Sequence, residues 1–126
     1  MIFIKSKKKK SKYNNKITIC PETGTKFHSA GEYRRWKTLQ ILERAGEIQD
    51  LITQEPFVIL ESFKSEGKTE RGIKYIADFV YFDNVINKMV IEDFKSSITA
   101  RDAAYIIKRK LIKSKYSQYI FRETFW

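Results

Sequence analysis

The stretch "IKYIADFVYFDNVINKMVIEDFK" (residues 73–95) decides the fold of this chain. Two runs rich in β-branched and aromatic residues, 73–82 and 89–95, flank the turn-forming sequence "DNVINK", which predicts an antiparallel β-hairpin. Both runs carry charged residues, which buried strands rarely hold without partners. These residues are Asp78 in the first run and Glu92, Asp93 and Lys95 in the second. The hairpin is therefore the predicted centre of the sheet and the first place to look for a functional site.

The alternation of side chains between the two faces of a β-strand sorts these charged residues. Asp93 and Lys95 are predicted to share one face of the second strand, and Glu92 lies on the other. Asp78 is predicted to share a face with Val80 through unbroken alternation along the first strand. If the two strands are hairpin neighbours, Asp78 and Asp93 lie side by side.

Two carboxylates in this position repel each other unless a positive charge lies between them. The predicted ligands are carboxylate oxygens, which suit Mg²⁺ or Mn²⁺. Lys95 would orient a water or stabilise charge that develops on a phosphate. An ordinary structural role remains open for each residue taken singly: Asp93 and Lys95 facing solvent, and Asp78 capping a bulge. The set favours a metal site, because Asp78 interrupts a run that otherwise has a buried pattern.

The segments around the hairpin predict an α/β fold with a mixed sheet. An antiparallel meander of three strands is followed by a helix and a last strand, which form a parallel crossover. Residues 63–72 are predicted to be a polar loop, and Thr99 is predicted to cap the second helix. The predicted elements are a hairpin lead-in over 13–27, helices over 29–46 and 100–115, and strands over 57–62, 73–82, 89–95 and 119–123.

Glu32 on the first helix is a third candidate acid. It lies at helical spacing from Trp36 and Leu39, so the three side chains are predicted to face inward together. A carboxylate on that face would reach the edge of the sheet. Glu32 also lies three residues after Ser29, which is capping-box spacing, so a purely structural role is equally open.

The formal net charge of +10 over 126 residues, with a pI near 9.7, indicates a polyanionic partner. The length suits one domain, predicted over 13–126, after a flexible basic arm over 1–12. One cysteine and one histidine exclude an internal disulfide and leave too few ligands for structural zinc, which fits a cytoplasmic protein. No apolar run approaches the ~20 residues of a membrane span.

A series of short segments resembles the PD-(D/E)xK nuclease superfamily, whose members share the restriction-endonuclease-like fold. Within it, the chain is similar to small phage-type endonucleases of the Holliday-junction-resolvase-like kind. Ala77 stands where the superfamily's name has proline. The matching segments are "KYNNK" (12–16), "FHSAGEYRRW" (27–36), "DLITQEPFVIL" (50–60), "YIADFVY" (75–81), "VIEDFKS" (90–96) and "KRKLIKSKY" (108–116).

The resemblance implies a role for each matching residue. Asp78 and Asp93 correspond to the two motif acids, Lys95 to the motif lysine, and Glu32 to a glutamate that resolvase-like members carry on the first helix. The acids would hold one or two Mg²⁺ (or Mn²⁺) ions with help from the carbonyl oxygen of Phe94. Basic and aromatic residues of the arm and the second helix would contact nucleic acid, namely Lys7, Lys8, Lys9, Lys10, Lys108, Lys110, Lys113 and Tyr116.

The expected function is Mg²⁺-dependent hydrolysis of phosphodiester bonds in DNA, with branched DNA as the substrate. Two symmetric cuts would require a homodimer. The main alternative is a basic nucleic-acid-binding module that cuts nothing. An RNA-directed protein of ribosomal type fits less well, since acids within apolar strands serve no RNA contact, and a membrane-surface role fits least.

Overall fold

A four-stranded mixed sheet packed between two helices forms the centre of the protein in the computed structural model, which describes residues 17–125. The elements in chain order are β1 (Thr18–Ile19), β2 (Lys26–Phe27), α1 (Ala30–Arg44), β3 (Ile48–Leu60), β4 (Phe63–Ser65), β5 (Lys68–Glu70), β6 (Ile73–Asp83), β7 (Lys88–Lys95), α2 (Ser97–Ala100), α3 (Ala103–Lys115) and β8 (Ile120–Phe125). The predicted basic arm lies outside the described residues.

The strand order in the central sheet is β3-β6-β7-β8. β3, β6 and β7 pair antiparallel, and β8 pairs parallel with β7 after the crossover through α3. The predicted α/β class, the antiparallel meander and the parallel last strand are confirmed.

Each face of the sheet is covered by one long helix. On one face Trp36 and Leu39 of α1 pack with Phe79, Tyr81 and Val90. On the other face Tyr105 and Ile112 of α3 pack with strand residues that include Tyr75, Val80 and Ile91. The inward direction predicted for the face of α1 that holds Trp36 and Leu39 is confirmed.

The alternation of β6 breaks at Asp78. Tyr75 and Ala77 pack on the α3 side, yet Phe79, two residues further on, packs on the α1 side. The register pairs Glu55 with Ala77 and Thr53 with Phe79 but skips the residues between them, and the skipped Gln54 has φ +55°. The prediction of unbroken alternation through Asp78 to Val80 is therefore wrong, because the two facing residues form an irregularity that reverses the faces.

β3 begins at Ile48 rather than at residue 57. Asp50 and Gln54 both have positive φ, and the register shifts between Gln49 and Ile52. The bulge between Gln49 and Ile52 and the two positive φ values break the period-two pattern by which a strand is recognised in sequence. Pro56 is tolerated because β3 is an edge strand, where a missing N–H need not break the ladder.

Two further boundaries differ from prediction. The polar loop over 63–72 contains the β4–β5 hairpin, whose turn residues Glu66 and Gly67 both have positive φ, as a tight two-residue hairpin turn requires. The second helix is not one element capped at Thr99. Residues 97–100 form the separate turn α2, and Asp102 caps α3 by accepting from the N–H of Tyr105 at 3.2 Å.

Candidate metal centre

Asp78 and Asp93 lie side by side where β6 and β7 stop pairing. The last backbone pair of the two strands is Phe79 with Glu92. Beyond this pair, hydrogen bonds from backbone N–H groups to the two aspartate side chains link the strands. The N–H of Asp78 donates to Oδ1 of Asp93 at 3.1 Å, and the N–H of Phe94 donates to Oδ2 of Asp78 at 2.8 Å. The two carboxylates that the hairpin pattern predicted as neighbours are thus brought together by reciprocal side-chain to backbone hydrogen bonds.

Glu32 reaches the same place from the first turn of α1. The hydroxyl of Ser29 caps this helix by accepting from the N–H of Glu32 at 3.1 Å. Gly31 lies against Phe94, so close that a Cβ at position 31 would be 2.5 Å from Cε1 of the ring. The missing side chain therefore lets the start of α1 approach β7. The carboxylate of Glu32 accepts a hydrogen bond from Nε2 of Gln54 at 2.9 Å. This contact links α1 to β3 at the point where the alternation of β6 breaks.

His28 joins Glu32 and Asp78 in a cluster with the spacing of a metal site. One candidate ligand atom from each of the three lies within 4.8 Å of the other two. The Nδ1 of His28 is 3.9 Å from Oε2 of Glu32, and its side chain is 71% exposed. Sequence reasoning missed His28 and Gln54, although the four-residue spacing of His28 from Glu32 is a usable signal.

The three acids are buried and only partly satisfied. Glu32 is 3% exposed, Asp78 6% and Asp93 0%. Oδ2 of Asp93 has no hydrogen-bond partner among the described residues. A buried carboxylate oxygen without a donor is costly, so this position suits a ligand that supplies positive charge.

Burial is the largest influence on the pKa of all three acids. It raises the pKa of Glu32 to about 8, with the neighbouring charge of Asp78 adding to the rise. Burial also raises the pKa of Asp78 and of Asp93, and in all three cases the ammonium of Lys95 opposes the rise. The single positive charge of Lys95 does not balance the negative charges of three neighbouring carboxylates. Hard oxygen ligands at this density fit a divalent cation such as Mg²⁺ or Mn²⁺.

Lys95 ends β7 and is half-buried between this cluster and α3. Its Nζ lies 5.2 Å from the centre of the Tyr105 ring. Tyr105 is itself fixed, since its hydroxyl donates to Glu123 at 2.8 Å and Arg109 donates to the same carboxylate at 3.1 Å. The lysine is therefore held beside the acids by an ordered aromatic ring.

Glu92 faces away from Asp93, as alternation predicts for this strand. It is fully buried and accepts two hydrogen bonds from Arg35 on α1, at 2.7 and 2.9 Å, and one from the hydroxyl of Tyr81 at 2.7 Å. Arg122 donates to the Tyr81 hydroxyl at 3.1 Å. This carboxylate is fully occupied by protein groups, which suits a structural role.

The basic residues predicted to contact nucleic acid are spread over α3. Lys108 lines a cavity that Lys95 also borders, whereas Lys110 and Lys113 are exposed. Tyr116 is half-buried, and its hydroxyl donates to the carbonyl of Val58 at 3.0 Å. Lys7, Lys8, Lys9 and Lys10 lie outside the described residues. The nucleic-acid role of all these residues stays a prediction.

Within residues 17–125, no helix has the length and apolarity that crossing a bilayer requires. Comparison with known proteins finds no significant match among curated proteins or among solved structures. A family model does match, over residues 10–124 and thus over nearly the whole chain. The chain therefore belongs to DUF1064, a family of proteins of unknown function.

Proposed function

We propose that this protein is a Mg²⁺- or Mn²⁺-dependent endonuclease that hydrolyses phosphodiester bonds in DNA, built on a restriction-endonuclease-like fold. The observation that carries the proposal is the buried pair Glu32 and Asp78, close enough to share an ion, with Asp93 bonded to the N–H of Asp78 and Lys95 near all three acids. Three crowded carboxylates with a single ammonium nearby lower the stability of the folded protein, and a bound cation would offset that cost. Oδ2 of Asp93, which has no hydrogen-bond partner among the described residues, would be one of the atoms that bind this cation.

The side chains of Glu32, Asp78 and Asp93 would hold the cation, with the carbonyl oxygen of Phe94 as a fourth oxygen. When bound, the cation supplies a more acidic water and positive charge against the phosphate. Lys95 orients the attacking water and contacts a phosphate oxygen, and its position at the end of β7 suits both tasks. His28, exposed at the rim of the cluster, contacts a ligand of the cation or the cation itself.

DNA is the proposed substrate because the chain carries a net charge of +10 and a lysine-rich α3. Contacts to phosphates are independent of sequence, so binding weakens steeply as salt rises. Resemblance to the resolvase-like endonucleases favours branched DNA over linear duplex. Cutting a four-way junction symmetrically needs two active sites, so we propose a homodimer on that substrate.

The test is incubation of the full chain with a four-way junction and a matched linear duplex, with Mg²⁺, with Mn²⁺ or with EDTA. We expect metal-dependent cuts in the junction, none with EDTA, and none with Asp78→Asn. Glu61→Gln, which removes an exposed carboxylate outside the cluster, should cut like the unmodified protein. A folded protein that binds both DNAs but cuts neither with any divalent metal would instead support the non-catalytic binding module.

A further inference from the structure

A cavity of about 350 Å³ lies beside the candidate metal centre, on the α3 side of the sheet. Three lysines line it: Lys74 near the start of β6, Lys95 at the end of β7, and Lys108 on α3. Lys95 is shared with the metal centre, but no metal-centre carboxylate lines the cavity. We call this cavity the lysine pocket.

The lysine pocket is strongly positive. Among residues 17–125, none of its three lysines forms an ion pair, and its only acid is Asp102, whose Oδ1 accepts the capping hydrogen bond at the start of α3. The ammonium groups of Lys74 and Lys108 stabilise an anion that enters the space, whereas the charge of Lys95 is shared with the three carboxylates of the metal centre.

The floor of the pocket is rigid. Tyr105 is held in place by Glu123, and Tyr75 is 4% exposed with no hydrogen-bond partner for its hydroxyl among the described residues. Both rings line the cavity. Several ammonium groups around one rigid space suit an anion that carries several acceptor oxygens.

We propose that the lysine pocket binds a phosphate group of a nucleic acid strand, with Lys74 and Lys108 as its phosphate-binding residues. The volume is at the small end for ligand pockets, so it takes a phosphate and part of its nucleotide rather than a duplex. Because Lys95 borders both sites, the bound phosphate neighbours the one that is cut; that placement rests on the proposed nuclease function. The phosphate is either internal to the strand or a 5′-terminal one.

The experiment measures binding of the full chain to short fluorescent single-stranded oligonucleotides in EDTA, where no cleavage interferes. The test variant is Lys74→Ala/Lys108→Ala. The matched control is Lys64→Ala/Lys68→Ala, which removes two lysines of the β4–β5 hairpin that do not line the pocket. Circular dichroism checks that both variants fold. Each protein is titrated with a 5′-phosphorylated and a 5′-hydroxyl oligonucleotide at several salt concentrations.

We expect the test variant to weaken binding much more than the control. We also expect the slope of log affinity against log salt to become shallower by about 0.7 for each phosphate that the protein no longer neutralises. A preference for the 5′-phosphorylated oligonucleotide that disappears in the test variant assigns the pocket to a terminal phosphate. Equal weakening on both oligonucleotides assigns it to an internal phosphate. Either result supports the proposal.

Equal weakening by the test and control variants would overturn the proposal, because the lysines would then act only through net charge. Normal binding by the test variant would also overturn it. Since no metal or cleavage enters the measurement, these outcomes are separate from those that decide nuclease activity. A protein that never cuts DNA but shows pocket-specific binding would refute the nuclease and leave the lysine pocket standing.

Discussion

The two sides of β7 hold buried carboxylates in opposite states. Glu92, on the α1 side, accepts two hydrogen bonds from Arg35 and one from Tyr81, so its charge is matched and its oxygens are used. Asp93, the next residue, has one oxygen on the N–H of Asp78 and the other without a partner among the described residues. Burial alone therefore does not identify a functional acid. The difference lies in whether the protein itself satisfies the charge.

The strongest test of this contrast is Asp93→Asn. We expect cleavage of a four-way junction in Mg²⁺ to fall to the level of the EDTA control, since a neutral amide is a poor ligand for a hard cation. The free energy of unfolding without metal should stay the same or rise, because a buried charge is removed while Oδ1 can still accept from the N–H of Asp78. Junction cleavage assays and urea denaturation in EDTA measure the two effects.

A variant that loses both cleavage and several kcal/mol of stability would contradict this division, because Asp93 would then be structural. Asp83→Asn offers a matched control on the neighbouring strand. Among residues 17–125, its carboxylate accepts only from turn N–H groups and lies 3.7 Å from Arg122, so cleavage should persist.

The opposite behaviour is expected of Glu92→Gln. The substitution removes the charged partner of Arg35, whose side chain is 23% exposed, and such a charge-assisted hydrogen bond contributes about 1.5 to 3 kcal/mol. The midpoint of urea denaturation should fall accordingly, and any surviving folded protein should still cut in Mg²⁺. A double-mutant cycle with Arg35→Ala isolates the pair, and a coupling energy near zero would show that the pair is not structural.

The pH dependence of stability should reveal the unmatched acids. The pKa of Glu32 is about 8 in the folded protein against an ordinary value of 4.5, so between these values the unfolded chain releases a proton that the folded protein keeps. Stability without metal is therefore greatest at or below pH 4.5 as far as Glu32 is concerned, and it falls as pH rises toward 8. The raised pKa values of Asp78 and Asp93 act in the same direction.

Thermal denaturation in EDTA across pH 5 to 8 measures this fall, and Glu32→Gln should make it shallower. Added Mg²⁺ should raise the melting temperature most at the upper end of the range, where the acids have lost their protons and can bind it. A melting temperature that rises with pH in EDTA to the same extent in the unmodified protein and in Glu32→Gln would contradict the assignment.

A comparison of β7 with β6 shows which parts of the site the sequence could predict. Alternation along β7 correctly placed Glu92 on the side opposite Asp93, because this strand is regular and stays paired with β8 through both residues. Along β6 the same rule failed at Asp78. There the faces reverse opposite Gln54, and the reversal depends on a positive φ in another strand that no local pattern encodes.

The capping-box spacing of Glu32 left its role open for a related reason. Ser29 caps the helix through its own hydroxyl, and the carboxylate of Glu32 instead accepts from Gln54, 22 residues further on. The packing of Gly31 on Phe94, which brings the start of α1 close to β7, is a contact between elements that capping-box spacing does not predict. Periodicity predicted which acids share an element, but the contacts between elements decided which acids meet.

His28 provides the smallest and most discriminating test, since it extends the unmatched cluster to the surface. Its imidazole is largely exposed, and Nδ1 lies 3.9 Å from Oε2 of Glu32. Water can therefore fill the space when the imidazole is removed. We expect His28→Ala to leave the free energy of unfolding unchanged and to raise the Mg²⁺ concentration needed for half-maximal cleavage by about 10-fold, the range typical of outer groups around a metal. His28→Asn, which keeps a hydrogen-bonding group, should recover part of the loss. If both variants match the unmodified protein across a Mg²⁺ titration, the metal site consists of the buried acids alone, and His28 has no part in it.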